Sequence, residues 1–324
     1  MNDAYKLALV LAAAPPVGMS TTAAAQDYPN KPVRVLVGFA PGGGTDIMAR
    51  AVGAKLADSL KQQFIVDNRP GANANIAAKL AADAPADGYT ILFMSVAHIM
   101  SKPVYKNLGY DIERDLTPIT VVSNVPNVLC VHPSLPVKTV KEVIALAKAR
   151  PGEITYATSG VGSPEHFAGE MFKMMTSTDM LPIPYKGGGP LAIDLVGGQV
   201  MLAFNTAPPI MPHIQAGRVR AIAVTMDKRV AALPDVATIA ESGVPGYAMS
   251  TWYGAVAPAK TPREIIVRLN QEMLKALALP EVRERLAALG AHVVGDSPEE
   301  AAALFKLELA KYTKVANAAN IRAD

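Results

Sequence analysis

The chain has 324 residues, half of them hydrophobic, with a formal net charge of +3 and one cysteine. That length suits a globular protein of about two ordinary domains. So small and dispersed a charge, with one tryptophan and no basic run interleaved with aromatics, excludes nucleic acid as a partner, and a lone cysteine excludes an internal disulfide framework.

The first residues have the layout of a secretory signal peptide. Lys6 precedes the apolar run Leu7-Ala-Leu-Val-Leu-Ala-Ala-Ala14, and Ala23-Ala-Ala25 supplies a small-residue cleavage site. The run is interrupted by Pro15-Pro16 and falls short of the about 20 apolar residues needed to span a bilayer. Export with cleavage near Ala25 is therefore expected, with residues 1–25 removed. Cys130 lies deep in the chain between Leu129 and Val131. It cannot be a lipid-modified cysteine behind a signal, and with no charge beside it a buried structural thiol is expected.

The next element is the most informative. Residues 33–39 are an apolar strand, Pro41-Gly-Gly-Gly-Thr-Asp46 is a glycine turn, and residues 47–60 have apolar positions at helical spacing. Glycines let a backbone approach a ligand closely, and Thr45 or Asp46 can cap a helix whose first N–H groups face an anion. The spacing of Gly42, Gly43 and Gly44 matches neither dinucleotide fingerprint nor P-loop, and a plain chain reversal would use the same residues.

Further strands are predicted at 64–67, 90–95, 154–157, 180–184, 201–204 and 220–225, with helices at 141–150, 168–176 and 190–197 among them. The alternation argues an α/β architecture with largely parallel sheets. Thr158-Ser-Gly-Val-Gly-Ser-Pro-Glu-His166 repeats the first loop's chemistry, running from a strand through Ser159, Gly160, Gly162 and Ser163 into a helix. It equally suits an ordinary capped helix. Pro184-Tyr-Lys-Gly-Gly-Gly-Pro190 is a third glycine turn, in which Tyr185 offers a hydroxyl and Lys186 either a charge for an anion or a solvated side chain. Thr261-Pro-Arg263 and Ser297-Pro-Glu-Glu300 start C-terminal helices. The proline-rich stretches 118–136 and 243–258 are where the chain would cross between lobes.

These motifs resemble the Bug family, the periplasmic solute-binding receptors of tripartite tricarboxylate transporters. The resemblance rests on Tyr28-Pro-Asn-Lys-Pro-Val-Arg34, Pro41-Gly-Gly-Gly-Thr-Asp46, Val66-Asp-Asn-Arg-Pro-Gly-Ala72, Asp87-Gly-Tyr-Thr90, Ser159-Gly-Val-Gly162 with His166, Pro184-Tyr-Lys-Gly187, Gly197-Gly-Gln-Val200, Ala223-Val-Thr225, Leu233-Pro-Asp-Val236 and Trp252-Tyr-Gly254. They run in order through the chain after residue 25. The resemblance implies a two-lobed periplasmic-binding-protein (type II) fold with a ligand cleft between lobes. The expected division is 26–124 and 249–324 in the first lobe and 125–248 in the second. The implied ligand is a small organic carboxylate, a di- or tricarboxylate or an aromatic acid, handed to the membrane subunits of a tripartite transporter by a monomer that uses no cofactor or metal. The first jaw would be Phe39, Ala40, Pro41, Gly42, Gly43, Gly44, Thr45 and Asp46. Thr158, Ser159, Gly160, Gly162, Ser163 and His166 would form the second, with Ser95, Tyr185, Lys186, Gly187 and Asn205 also on the ligand.

Many members have carboxylates after Gly-Gly-Gln-Val and four residues later, where this chain has Met201 and Asn205. An ammonium would then lack an acidic partner, so amino acids are expected to bind poorly. The alternatives are an exported hydrolase and a sensor of the same solute. Neither Ser159 nor Ser163 lies in G-x-S-x-G, and His98, His132, His166, His213 and His292 have no paired metal spacing. A triad that meets only in space would escape such reading.

Overall fold

Four of the five residues of β1 (Val33–Val37) are buried, the pattern of a β-branched run covered on both faces by helices. In the computed structural model, which describes residues 28–323, this strand is the centre of the first lobe. The expected signal peptide and its cleavage near Ala25 lie outside the described residues. β1 runs between β2 (Phe64–Asn68) and β3 (Thr90–Ser95), parallel to both, and α1 (Gly44–Leu60) and α2 (Asn75–Ala82) make the crossovers. α3 (Ala97–Val104) follows at once.

The second lobe repeats this plan. β5 (Ile154–Thr158) lies between β6 (Met180–Pro184) and β7 (Leu202–Thr206), parallel to both, with α5 (Pro164–Thr176) and α6 (Gly188–Val196) as crossovers. In each lobe the first strand has its two successors on opposite sides, so the loop after it emerges at a topological switch point, where open α/β sheets bind ligands. The two glycine loops after β1 and β5 occupy these places.

One strand serves both sheets. β4 (Leu116–Val131) pairs antiparallel with β9 (Ser250–Pro258) along Leu116 to Pro126, then with β7 and β8 (Arg220–Val224) along Asn127 to Val131. A polar knot marks the crossing. The Asn127 N–H donates to Thr225 Oγ1 at 3.0 Å, the Thr225 hydroxyl donates to the Met249 carbonyl at 2.8 Å, and the Thr251 hydroxyl donates to Asn127 Oδ1 at 3.2 Å.

α4 (Val140–Ala149) and α7 (Ala207–Gln215) complete the second lobe, and α8 (Arg263–Ala278), α9 (Pro280–Ala288), β10 (His292–Val293) and α10 (Pro298–Ala318) end the chain. α10 lies against α3 and β4. Its Phe305 stacks on Trp252 at 4.9 Å between ring centroids, and its Tyr312 meets Phe167 of α5 edge to face at 5.5 Å, so one helix touches both lobes.

The predicted strands and helices are present with ends shifted by a few residues. The helix expected at 168–176 begins at Pro164, because Ser163 caps it by accepting from the His166 N–H. Ser297 and Glu300 form a full capping box at α10, whereas α8 begins after Pro262 with no side-chain cap from Thr261. The proline-rich stretches expected to cross between lobes contain the long strands β4 and β9. Pro118 is accommodated at a register shift between Pro118 and Thr120, where a residue without an N–H costs no ladder bond. Cys130 is buried on β4, and burial pushes its thiol far above the usual range.

Candidate functional site

Four helix N-termini converge between the lobes. A cavity of about 20 Å³ is lined by Gly43, Gly44 and Thr45 from the start of α1, Pro164 and Glu165 from α5, Gly188 from α6, and Thr206, the residue before α7. Phe39, Ser95, Ser159, Thr251 and Tyr253 complete the wall. The first N–H groups of a helix have no partner within it, and the aligned peptide dipoles place positive potential there. The lining thus offers hydroxyls and N–H groups and no cationic side chain. That is room for about one water molecule, so a larger guest needs the lobes to part.

The lobes meet directly over this cavity. The Ala40 N–H donates to the Lys186 carbonyl at 2.9 Å, and the Tyr105 hydroxyl donates to the Val161 carbonyl at 3.0 Å. A Cβ on Gly189 would stand 2.5 Å from the Pro41 carbonyl oxygen, so this approach requires a residue without one. Gly42, at φ +78, is the member of the first loop whose backbone favours glycine, while Gly43 is ordinary extended chain.

The first glycine loop turns its acid away from the cavity. Asp46 accepts from the Gly42 N–H at 3.0 Å, from Asn68 Nδ2 at 2.9 Å and from Arg50 Nε at 3.0 Å. Burial alone would raise its carboxyl, but the bonds from Arg50, Gly42 and Asn68 outweigh burial and hold it below the usual range. Asp46 therefore shapes the glycine turn and does not cap α1, whose N-cap is Gly43.

The second glycine loop does the reverse. Glu165, fully buried, points into the cavity, where the Ser159 hydroxyl donates to its Oε2 at 2.5 Å. The Ser163 side chain and the N–H groups of Glu165 and Thr206 also favour its charged form, yet burial prevails and pushes the carboxyl above the usual range. His166 is turned aside. Its Nδ1 accepts from the Gly162 N–H at 3.1 Å, and burial lowers its pKa and keeps the ring neutral. Ser159 and Ser163 are thus engaged with Glu165 and the α5 cap rather than with a histidine.

Of the candidate ligand residues, Phe39, Gly43, Gly44, Thr45, Ser95 and Ser159 are gathered on the cavity. Phe39 and Ser159 also face an outer cleft with Gly160, Tyr185 and Lys186. Ala40, Pro41 and Gly42 form the rim against the third glycine loop, which enters α6 through Gly187 at φ +136. Tyr185 donates to Asp194 at 2.8 Å within its own lobe, and Lys186 is exposed. Thr158 shapes the second loop by accepting from the Gly160 N–H at 3.3 Å, and Asn205 Nδ2 donates to the Gly188 carbonyl at 3.2 Å.

Pro164, Glu165, Gly188, Thr206, Thr251 and Tyr253 escaped the sequence reading. For Thr251 and Tyr253 a signal existed, since two residues apart on a strand they share a face. Glu165 also corrects the premise that no acid stands at the cleft. Met201 lies just before the first residue of β7, about 16 Å along the strand from Thr206, while the acid comes from α5.

Residues 48–321 match the tripartite tricarboxylate transporter family receptor. Protein BugT of Bordetella pertussis is 36% identical over 317 residues, covering 97% of each chain. Among solved structures, Rpa4515 of R. palustris with adipate superimposes with a TM-score of 0.89 at 40% identity, covering 91% of this chain and 99% of that one. MatC of Rhodopseudomonas palustris with bound malate gives 0.85 at 30% identity, covering 89% and 99%.

Proposed function

The chain belongs to the tripartite tricarboxylate transporter receptor family, of the Bug type, and from that premise we propose that it captures a small dicarboxylate between its lobes and delivers it to the membrane subunits of such a transporter. The observation that carries this reading is the convergence of four helix N-termini on one small cavity without a cation. A carboxylate gains about 0.3–1 kcal/mol from each terminus and about 1.5–3 kcal/mol from each charge-assisted bond. Several together reach the roughly 8 kcal/mol of a micromolar complex. The acids held by Rpa4515 and MatC, adipate and malate, are of this class.

The glycine loops act as jaws on this reading. Residues 26–124 and 249–324 form one lobe and 125–248 the other, and the hinge is the crossing of β4 and β9 at Asn127 and Thr251. Rotation there opens and shuts the cleft without a chemical step. The signal peptide of residues 1–25 directs the protein to the periplasm, where it works as a monomer. Mass spectrometry of protein recovered from the periplasm should give an N-terminus within a few residues of Gln26.

A thermal-shift screen against organic acids tests the ligand class. An acid at 100 times its Kd adds about 2.7 kcal/mol, a rise of roughly 5 °C for a chain of this size. Adipate, malate or a homologue should produce it. A panel in which no dicarboxylate moves the transition defeats the reading.

A further inference from the structure

Glu165 is the one formally charged side chain on the cavity among the described residues, and it bears the same sign as the ligand class proposed above. It already accepts a hydrogen bond from the Ser159 hydroxyl, and the donors of α5 and Thr206 face it. A second carboxylate entering the cavity has the helix starts of α1 and α6 to itself but must share the donors of α5 and Thr206 with Glu165. Two buried carboxylates on one set of donors do not both stay ionised; one proton settles between them.

No neighbouring side chain supplies a compensating positive charge. Tyr253, from β9, is a buried phenol that burial keeps protonated. Asp46, from α1, is committed to Arg50, Gly42 and Asn68. His98, behind Ser95 at the start of α3, is pushed down to about 4 by burial and is neutral, as is His166 on α5 itself. Farther along α5, Glu170 and Lys173 pair with each other at 2.8 Å, and Lys186 before α6 is exposed on the outer cleft. Thr206 and Gly188 bring no ionisable side chain.

We propose that Glu165 is the specificity-determining residue of the cavity, and that a dicarboxylate is bound together with one proton held between a ligand carboxylate and Glu165. The proposal rests on the dicarboxylate reading above. In balance, the ionised receptor, the dianion and one solvent proton give a complex with one shared proton, and no covalent bond changes. Burial, which raises the Glu165 carboxyl, works in the same direction by making the proton easier to hold. An ammonium ligand would use Glu165 in the opposite way, as an ionised partner.

Titration calorimetry with adipate, in buffers of small and large ionisation enthalpy and from about pH 5.5 to about pH 8.5, decides between them. Proton uptake should climb towards one per adipate as pH rises, and Kd should weaken by up to about tenfold per pH unit in the alkaline range. Glu165→Gln should remove the uptake and flatten the pH dependence. If that variant does not fold, the proton count on the unaltered receptor decides alone. Adipate bound with no proton uptake and an unchanging Kd overturns the proposal and leaves the function standing. So does 2-aminoadipate bound at least tenfold more tightly than adipate without uptake. No binding of adipate or malate at any pH defeats the dicarboxylate reading and this proposal with it.

Discussion

The two glycine loops, the proposed jaws, are built from the same grammar and use their acids in opposite ways. Each is a strand, a glycine-rich turn and a helix with a carboxylate in its first turn, Asp46 in one and Glu165 in the other. Asp46 is the third residue of α1, and from there its side chain reaches back to the loop N–H of Gly42 and sideways to Arg50. Glu165 is the second residue of α5, where Ser163 already serves the cap, so its side chain is released into the cavity. One step along a helical turn separates an acid that shapes a loop from an acid that lines the cavity.

The largest expected break in this comparison is at Gly44. A Cβ there would lie 1.9 Å from the hydroxyl of buried Tyr253, whereas at Gly43 the nearest atom, the Ala40 carbonyl oxygen, is at 3.4 Å. Gly44→Ala should lose adipate binding by roughly a hundredfold and about 1–3 kcal/mol of stability through overpacking, while Gly43→Ala should keep the fold. Calorimetry and chemical denaturation of both variants check this, and equal behaviour of the two would mean that Tyr253 does not bound the pocket.

Next comes the acid of the first jaw. Asp46→Asn should cost about 2 kcal/mol, since charge-assisted bonds contribute about 1.5–3 kcal/mol each and Arg50 is half exposed. The pH dependence has a definite sign. The folded Asp46 carboxyl is depressed, so its contribution is present above the unfolded value of 3.8 and lost as pH falls through the lower folded one. Glu165 is raised, so its contribution is complete below the unfolded value of 4.5 and is lost as pH rises through the folded one. Unfolding curves across the acid range should therefore show Asp46→Asn closing on the unaltered protein at low pH. Glu165→Gln should gain on it as pH rises, and parallel curves for the two variants would erase the contrast between the jaws.

A smaller effect sharpens the role of the third loop. Gly189→Ala places a Cβ 2.5 Å from the Pro41 carbonyl oxygen of the other lobe. It should weaken adipate binding about tenfold, or about 1.4 kcal/mol, with little change in unfolding temperature. Small-angle scattering should then show less compaction on adding adipate than in the unaltered receptor. The smallest effect is expected at exposed Lys186, where Lys186→Ala should change affinity by no more than about 0.5 kcal/mol. A larger loss in calorimetry would move the ligand into the outer cleft.

Much of the first jaw was legible in the sequence because its signals are local. A β-branched strand, a glycine turn and a helical period announce β1 and α1, and Ser163-Pro-Glu165 announces α5. The role of Glu165 was hidden by that same fact, since the tripeptide also reads as a plain helix start. Thr206, Thr251 and Tyr253 reach the cavity from strands far away in sequence, and β4 and β9 were concealed by prolines that register shifts and strand ends accommodate. Asp46 was legible as polar and close to the turn. Its direction depends on Asn68 at the end of β2, a partner that parallel pairing supplies and spacing does not.

Thr251 belongs at once to the cavity wall and to the polar knot where β4 changes sheets. Its hydroxyl has one proton to give, and in this structure Asn127 Oδ1 takes it. A ligand oxygen competing for that proton would loosen the Asn127 tie, and one that leaves it alone would keep the tie fastened. Cargo and pivot would then draw on the same hydroxyl, which is one of several ties between the two halves.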